Sequence, residues 1–229
     1  MEQLPNGYSL EIPEGCFPLG TDSMLLADFC RLPRKARVLD LGAGCGTLGL
    51  LLCAKDAGCS VTGLELDEKA HQAAVENIRR NQLSRMESIC MDLRDIPRNF
   101  ASGSFDCCVS NPPYFSGGPA SRQLPTARRN DTCSCTDLMK TAAYALKYGG
   151  DLFLVQKPEK LAELIARGSE NQLETKRLTL IRHRENGPIA LILMQFKKCG
   201  KPGMILEEDA LFDTENKPTP YFNRIYHIK

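Results

Sequence analysis

The chain has 229 residues, of which 42% are hydrophobic and 25% are charged, and its formal net charge is +1 at pH 7. This length suits one well-buried α/β domain with an addition, and the composition excludes a disordered chain. The near-neutral charge excludes a protein that attracts polyanions over its whole surface, so a nucleic-acid contact would need basic residues gathered on one face.

The N-terminus shows no basic segment followed by an apolar run, so we expect no signal peptide and a cytoplasmic protein. The eleven cysteines are then expected to remain free thiols, as in a reducing compartment. Cys53, Cys90, Cys107 and Cys108 lie in apolar segments, where we expect them to be buried as small hydrophobic residues.

Two further negative predictions follow from spacing. The pair Cys133 and Cys135 is the best candidate for a zinc site, but no second Cys/His pair stands at a ligand-like distance from it, so we predict no metal. No segment approaches the roughly 20 consecutive apolar residues of a membrane span, and we predict no membrane contact.

The first 36 residues are predicted to form a hairpin and a helix that pack on the core. The pattern indicates strands at residues 8–12 and 16–19, followed by a helix from Met24 that Thr21 or Asp22 caps. A basic connector follows, which we interpret as a solvated linker, with RNA contact as the alternative. Its basic residues are Arg31, Arg34, Lys35 and Arg37.

The core, residues 37–199, alternates between the strand and helix periods, and residues 200–229 are predicted to lie as a tail on the same domain. This alternation predicts a doubly wound α/β fold, and a closing hairpin adds one antiparallel strand to a mainly parallel sheet. Strands are predicted at residues 37–41, 60–65, 88–91, 105–110, 151–155, 178–183 and 189–196, and helices at residues 47–57, 68–81, 136–147 and 158–167.

Glycines interrupt the apolar pattern directly after the first core strand, and two motifs can be aligned with them. Residues 44–49 match G-x-G-x-x-G, the dinucleotide fingerprint, with Glu65 at about the expected distance of ~20 residues. The alternative alignment is Asp40-x-Gly42-x-Gly44-x-Gly46, typical of S-adenosylmethionine-dependent methyltransferases. We favour the second, because in the first motif the leading glycine should follow the strand directly. Gly49 is then a helix-packing glycine.

Polar residues end the following strands, at the sheet edge where doubly wound proteins bind ligands. Glu65 could accept hydrogen bonds from both ribose hydroxyls of a nucleoside, and Asp92 from the adenine amino group. We assign the neighbouring Leu66 and Leu93 to the same cofactor site, together with Asp40 and the three loop glycines.

A four-residue motif, Asn111-Pro112-Pro113-Tyr114, follows the fourth core strand. It predicts the site that binds the nitrogen to be methylated, which we call the acceptor site. The prolines force an extended backbone that directs the Asn111 side chain and the Pro112 carbonyl. Two such acceptors can hold a planar amino nitrogen with its lone pair facing a sulfonium methyl and stabilise the charge that develops. Tyr114 offers a ring on which a base can stack.

With these motifs the sequence resembles the N-P-P-Y N-methyltransferases, and within them the bacterial tRNA(Val) adenine-N6 methyltransferase family. The resemblance extends from residues 20–26 to the tail at residues 197–203. It implies a class I methyltransferase fold with a seven-stranded sheet, S-adenosylmethionine as cofactor and a tRNA substrate. The implied cofactor residues include Thr21, Asp22 and Asn111.

The same resemblance implies catalytic roles for Asn111, Pro112 and Tyr114. It assigns substrate binding to Tyr114, Phe115, Arg122, Arg128 and Arg129. We also expect a monomer.

Alternatives from other classes remain open. Protein glutamine methyltransferases share the N-P-P-Y logic but usually carry a separate N-terminal helical domain, and guanine-N2 rRNA methyltransferases of this size are a closer rival. A non-catalytic adaptor would tolerate loss of the acceptor motif, which is intact here. An oxidoreductase would bind NAD instead of S-adenosylmethionine.

RNA binding needs positive charge near the acceptor site. The arginines after Tyr114 are the first candidates, and Lys197, Lys198 and Lys201 after the last core strand are the second. Solvated surface remains the alternative for each cluster. His71, His183 and His227 lack partners at catalytic spacing, so we assign them structural or surface roles.

Overall fold

The computed structural model describes residues 1–4, 7–112 and 134–226 of the chain. Ten strands are assigned in these ranges, and 3₁₀ turns occupy Leu93–Asp95 and Pro158–Lys160. The strands are β1 (Glu2–Gln3), β2 (Ser9–Leu10), β3 (Arg37–Leu41), β4 (Ser60–Glu65), β5 (Met86–Cys90), β6 (Phe105–Ser110), β7 (Leu146–Gln156), β8 (Leu173–Arg184), β9 (Ile189–Lys198) and β10 (Ile205–Phe212).

The described helices lie on both faces of the main sheet. They are α1 (Thr21–Phe29), α2 (Thr47–Lys55), α3 (Glu68–Arg80), α4 (Ile96–Asn99), α5 (Cys135–Ala145), α6 (Leu161–Glu170) and α7 (Pro220–Ile225). One core cluster joins α1, α2 and α7 to the sheet through Leu25, Leu50 and Ile225. The other joins α4, α5 and α6 to the opposite face and contains Ile96 and Leu138.

The main sheet is parallel except at β9, in the order β10-β8-β9-β7-β6-β3-β4-β5. This confirms a doubly wound, mainly parallel fold with one antiparallel strand. The described sheet has eight strands, so the expected number of seven was wrong. The extra strand is β10, which the tail adds beside β8 in parallel register.

Two predictions for the N-terminal segment were wrong. The hairpin pairs β1 with β2, so the partner of Ser9 precedes it in the chain instead of following it at residues 16–19. Helix α1 begins at Thr21 with Gly20 as its N-cap and no side-chain cap, so neither Thr21 nor Asp22 caps it. Both residues lie instead in the first turn.

The cysteines follow the burial prediction with one exception. Cys53, Cys107 and Cys108 are buried, whereas Cys90 is exposed at the end of β5. The cysteines of the described ranges are free thiols.

Chain direction gives the main sheet two different edges. Strands β3, β4, β5, β6 and β7 all end at one edge, which we call the carboxyl edge, and begin at the opposite amino edge. Ligands of doubly wound proteins bind outside the carboxyl ends of such strands. The segment that carries Gly42, Gly44 and Gly46, which we call the glycine loop, directly follows β3. Glu65 ends β4, Asp92 follows β5 and Asn111 follows β6, so all of them lie at the carboxyl edge.

Candidate functional site

The glycine loop between β3 and α2 leaves part of its backbone open to a ligand. Gly42, Gly44 and Gly46 have φ angles of 78°, 55° and 84°, in the left-handed region that glycine adopts without a steric penalty. The Gly42 and Ala43 N–H groups donate to the Leu64 carbonyl at 3.0 and 2.9 Å. A Cβ built on Gly42 or Gly44 meets no atom within 4 Å. The bare backbone therefore faces free space that a ligand could approach closely.

Gly49 has a different environment. A Cβ at this position would lie 2.4 Å from Cε of Met86 and 3.3 Å from Cγ1 of Val61. Helix α2 thus packs closely against the sheet here. Gly49 is a packing residue, as the alignment Asp40-x-Gly42-x-Gly44-x-Gly46 predicts.

Glu65 ends β4 and is tied to the loop by its carboxylate. Its Oε2 accepts from the Gly44 N–H at 2.8 Å, and its Oε1 accepts from the Asp67 N–H at 2.8 Å. A carboxylate oxygen has more than one lone pair, so both oxygens retain capacity to accept further hydrogen bonds. Next to it, the Leu66 side chain is 60% exposed, and an exposed apolar side chain of this kind can cover one face of a planar ring.

Asp40 is buried at the end of β3, with 1% of its surface exposed. Among the described residues, its Oδ2 has no hydrogen-bond partner. Burial, and secondarily the negative charge of Glu65, raises the pKa of Asp40 to about 7. A buried carboxylate without a partner is costly, so this position favours a ligand that brings positive charge.

Because the folded-state pKa of Asp40 lies above the ordinary value of 3.8, the folded protein binds more protons than the unfolded chain between these two pH values. Stability should therefore be highest below the unfolded pKa and fall as pH rises through 7. Asparagine does not ionise, so Asp40→Asn should remove this decrease and be more stable by roughly 2 kcal/mol at pH 8. Urea unfolding of both proteins at pH 5, 6, 7 and 8 measures the difference, and parallel pH profiles would contradict it.

Asp92 follows β5 and is held by Arg94. Its Oδ1 accepts from the Arg94 backbone N–H at 2.8 Å, and its Oδ2 pairs with the guanidinium at 2.5 Å. Hydrogen bonding by the Arg94 side chain keeps the pKa of Asp92 below its usual value, so the group is a fixed carboxylate acceptor. Leu93 begins the following 3₁₀ turn and is half-buried.

Asn111 stands beside the glycine loop because β6 pairs directly with β3. The hydroxyl of Ser110 donates to the Leu41 carbonyl at 2.7 Å, which joins the ends of these two strands. The Asn111 Nδ2 donates to the Ser23 hydroxyl oxygen of α1 at 3.0 Å. Since the amide nitrogen is engaged by Ser23, the amide oxygen is oriented away from that contact. Pro112 is buried.

The first turn of α1 is held from two sides. Thr21 Oγ1 and the Tyr226 hydroxyl, which follows α7, are 2.9 Å apart and hydrogen-bonded. Asp22 is partly buried, and burial raises its pKa while the charge of Lys157 opposes the increase. The C-terminal tail thus contacts the same turn of α1 from which Ser23 reaches Asn111.

Two buried polar residues of this site were missed by the sequence analysis. Ser23 lies inside the segment chosen for Thr21 and Asp22, yet only the packing of α1 on the sheet shows that it contacts Asn111. Asn77 is fully buried on α3 and donates to the carbonyls of Glu11 and Cys45, at 2.9 and 3.0 Å. A polar residue on the apolar face of α3 was the available signal for Asn77.

Several predicted residues fall outside the described ranges. The catalytic and substrate-binding predictions there remain as made from the sequence. They concern Tyr114, Phe115, Arg122, Arg128 and Arg129. Pro113 of the same motif, the metal candidate Cys133 and His227 also lie outside the described ranges.

The lysines at the end of β9 do not approach the acceptor site. Lys197 donates to the Gly149 carbonyl and pairs with Asp151, both at 2.9 Å, and Lys198 donates to the Leu146 carbonyl at 2.7 Å. These contacts lie where β7 begins. The lysines therefore belong to the amino edge, opposite the glycine loop.

His71 and His183 also lie in local contacts. His71 Nδ1 is 2.9 Å from the Ser88 hydroxyl, and the His183 ring packs against Phe212. These contacts agree with structural roles for the two histidines.

Within residues 1–4, 7–112 and 134–226, no three His, Cys, Asp or Glu side chains are grouped so that they could bind a metal. Of the helices in the same ranges, none has the length and apolar character that crossing a membrane requires.

Comparison with known families identifies one model that matches this chain. The family is described as "Methyltransferase small domain", and its model matches residues 19–176. The matched region contains the glycine loop, Glu65, Asp92 and Asn111. It ends before most of β8, so β9, β10 and α7 lie outside it.

Curated relatives share a single description. A tRNA1(Val) (adenine(37)-N6)-methyltransferase of Bacteroides fragilis is 40% identical over 141 residues, and the match covers 60% of this chain and 59% of the relative. The protein of the same description from Tolumonas auensis is 32% identical over 210 residues, covering 89% of this chain and 86% of the relative. These matches confirm the family resemblance inferred from the motifs.

Solved structures support the fold. An Agrobacterium tumefaciens structure described as a predicted O-methyltransferase has a TM-score of 0.76 at 22% identity and covers 90% of this chain and 95% of its own. The geranyl diphosphate C-methyltransferase of Streptomyces coelicolor, solved with S-adenosyl-L-homocysteine, has a TM-score of 0.59 at 13% identity, with coverages of 77% and 79%. At these identities the likeness concerns the fold alone.

Proposed function

Because the chain belongs to the methyltransferase small domain family, we propose that it transfers a methyl group from S-adenosylmethionine to the 6-amino group of an adenine in tRNA. The proposed target is adenine 37 of tRNA(Val), the position in the relatives' description. The observation that supports this function most directly is the position of Asn111 and Pro112 beside the glycine loop, joined to it through Ser110 and Leu41.

The residues of the carboxyl edge fit the cofactor. The open backbone at Gly42 and Gly44 would let it approach closely. The buried Asp40, whose Oδ2 lacks a hydrogen-bond partner among the described residues, would favour a cationic ligand. In this proposal Glu65 accepts hydrogen bonds from the ribose hydroxyls, and Asp92 accepts one from the adenine amino group. Leu66 and Leu93 cover the adenine ring. When bound, S-adenosylmethionine supplies an electrophilic methyl group on a positively charged sulfur.

Thr21 and Asp22 complete the proposed cofactor site from α1. Their turn is anchored by Tyr226 and by the contact of Ser23 with Asn111. In this proposal Asp22 contributes a carboxyl group from α1 to the cofactor site. We place both residues where they would close over the bound cofactor.

Asn111 and Pro112 perform the acceptor chemistry in this proposal. The lone pair of an adenine amino nitrogen is conjugated with the ring, so the free base is a poor nucleophile. The Asn111 Oδ1 and the Pro112 carbonyl each accept a hydrogen bond from one N–H of this amino group. These hydrogen bonds orient the nitrogen lone pair and stabilise the positive charge that grows on attack. The methylated nitrogen then releases its proton without a strong base.

The remaining assignments follow from the family resemblance. We propose that Tyr114 and Phe115 stack on the target base and that Arg122, Arg128 and Arg129 bind RNA phosphates. We further propose a cytoplasmic protein that acts as a monomer without a metal.

A substrate test separates this function from its rivals. The protein is incubated with labelled S-adenosylmethionine and, separately, with unmodified tRNA, unmodified rRNA and unmethylated release factor. We expect label in tRNA, identified by mass spectrometry of its nucleosides as N6-methyladenine. A tRNA(Val) transcript with guanine in place of adenine 37 serves as the control and should take no label.

Other outcomes of the same test are decisive. Label only in guanine of rRNA, or only in glutamine of the release factor, would replace the proposed substrate by one of these rivals. Binding of NAD without binding of S-adenosylmethionine in calorimetric titration would contradict the methyltransferase activity itself.

A further inference from the structure

The fold brings two basic segments together that are far apart in the chain. Arg31, Arg34 and Lys35 lie in the connector that enters β3 from the amino edge, and all three are exposed. Lys197 and Lys201 lie at the end of the antiparallel β9, which reaches the same edge because it runs opposite to its neighbours. We call these residues, together with Lys147, the basic edge.

A groove opens between the two segments. It has a volume of about 420 Å³ and is lined by Arg31, Pro33, Lys147, Tyr148 and Lys197, among others. Leu146 pairs with Phe105, whereas Asp151 pairs with Cys107. Four residues of β7 therefore oppose one residue of β6, and they form a bulge that projects from the sheet.

The bulge presents an aromatic ring to solvent. Tyr148 is 82% exposed, which is unusual for a large ring with apolar faces. Gly149, which follows it, has a φ of 74° that allows the sharp turn. An exposed ring among basic side chains is the combination with which proteins bind nucleic acid, through phosphate contacts and base or sugar packing.

The charges of this groove remain positive after its acids are counted. Asp106 pairs with Lys147 at 2.7 Å, and Asp151 pairs with Lys197 at 2.9 Å. Each acid is thus matched by one lysine, and Arg31 is added to these pairs. Arg34 and Lys35 extend the positive surface next to the groove.

The carboxyl edge has the opposite character. Its described residues include the acids Asp22, Asp40, Glu65, Asp67 and Asp92. Among the residues that the structure describes, positive charge is thus concentrated at the basic edge and acids are concentrated at the carboxyl edge. RNA affinity comes largely from phosphate neutralisation, and the described carboxyl edge offers little of it.

We propose that the basic edge binds the phosphate backbone of the RNA substrate at a distance from the methylated base, with Tyr148 packing against the RNA. This inference rests on the proposed function. Strands β3 and β6 have five and six residues, so the two edges are about 20 Å apart at ~3.3 Å per residue. This is less than one turn of a nucleic-acid duplex, about 34 Å, so one RNA can contact both edges.

The test uses the full chain with S-adenosyl-L-homocysteine and fluorescently labelled RNA. The triple variant Arg31→Gln/Arg34→Gln/Lys35→Gln and the single variant Tyr148→Ala are titrated with full-length unmodified tRNA(Val). The same proteins are titrated with a single-stranded heptamer that contains the target adenine. Anisotropy is measured from 50 to 200 mM salt.

For the triple variant we expect a Kd for tRNA that is at least tenfold higher. The slope of log K against log salt should be smaller in magnitude by about 2 to 3. Tyr148→Ala should weaken tRNA binding several-fold without changing this slope. At the ~3.4 Å per nucleotide of a stacked strand, three nucleotides on either side of the adenine cover only about 10 Å, half the distance to the basic edge, so the heptamer Kd should change less than twofold. The kcat at saturating tRNA should be unchanged, because none of these residues touches the reacting atoms.

The matched control removes three basic charges elsewhere, with Lys140→Gln/Arg184→Gln/Lys217→Gln, all exposed in the structure. Equal tRNA affinity and salt dependence of the two triple variants would overturn the inference. The unsubstituted protein distinguishes the two claims. If it methylates no RNA, but binds tRNA through charges that only the first triple variant loses, the proposed function is wrong and the RNA binding by the basic edge stands. If it methylates tRNA and the first triple variant binds tRNA as tightly, the proposed function stands and the RNA binding by the basic edge is wrong.

Discussion

Asn111→Ala is expected to lower kcat by about 10²–10³-fold, the usual cost of removing one group that stabilises transition-state charge. The proposed reason is the loss of Oδ1 as an acceptor for the adenine amino group. The dissociation constant of S-adenosylmethionine should change less than threefold, because most of the proposed cofactor contacts come from the glycine loop, Glu65 and Asp92. Single-turnover methylation of tRNA and calorimetric titration of the cofactor measure the two effects separately.

Ser23 provides the accompanying test of how Asn111 is oriented. Ser23→Ala removes the acceptor of the Asn111 Nδ2 hydrogen bond and should lower kcat by about tenfold. Ser23→Thr keeps the hydroxyl and should restore most of the rate. Thermal unfolding controls for damage to α1. If Asn111→Ala weakened cofactor binding as strongly as it slowed turnover, Asn111 would belong to the cofactor site instead of the acceptor site.

Glu65→Ala is expected to weaken S-adenosylmethionine binding by about 10²-fold. Hydrogen bonds to a charged group contribute roughly 1.5–3 kcal/mol each, and Glu65 is proposed to accept two from the ribose. The variant also loses the contact that holds the Gly44 N–H, so the loop loses part of its preorganisation. Calorimetry gives the affinity, and kcat at saturating cofactor should fall less than fivefold.

Glu68→Gln is the matched control, because Glu68 is an exposed acid in the first turn of the next helix. It should leave cofactor affinity within twofold of the parent. An unchanged dissociation constant for Glu65→Ala would refute the ribose assignment. Glu65→Gln separates charge from geometry, since it retains one acceptor oxygen, and we expect an intermediate affinity.

Three adjacent strands of the main sheet, β6, β3 and β4, were predicted with their observed bounds. Residues 37–41, 60–65 and 105–110 are short apolar runs that end in a polar residue or a glycine turn, and both signals are local. An aspartate directly before a helical pattern is another local signal, and in the structure the Asp67 side chain caps α3 by accepting from the Ala70 N–H at 2.9 Å. In these elements the local preference and the final packing coincide.

The predictions failed where pairing partners decide the structure. Strand β10 is rich in acids and reads as a solvated tail, but β8 supplies it with backbone hydrogen bonds and with partners such as Thr179, which donates to Glu207 at 2.9 Å. Likewise, the pattern at residues 8–12 shows a strand without showing whether its partner precedes or follows it. Propensity describes a segment, whereas pairing depends on what lies beside it.

The sequence by itself determined the class of the protein: a glycine loop after one strand, an acid after the next and Asn111-Pro112 after the fourth predict a methyltransferase. This succeeds because alternating hydrophobic periods encode the succession of strands and helices along the chain, and the carboxyl ends of parallel strands lie at one edge of the sheet. Only the tertiary structure decided that Ser23 contacts Asn111, that Asp40 Oδ2 is buried without a hydrogen-bond partner among the described residues, and that Arg31 and Lys197 share a groove. These are distances between segments remote in the chain, and they depend on how helices pack and strands are ordered, which no local pattern records.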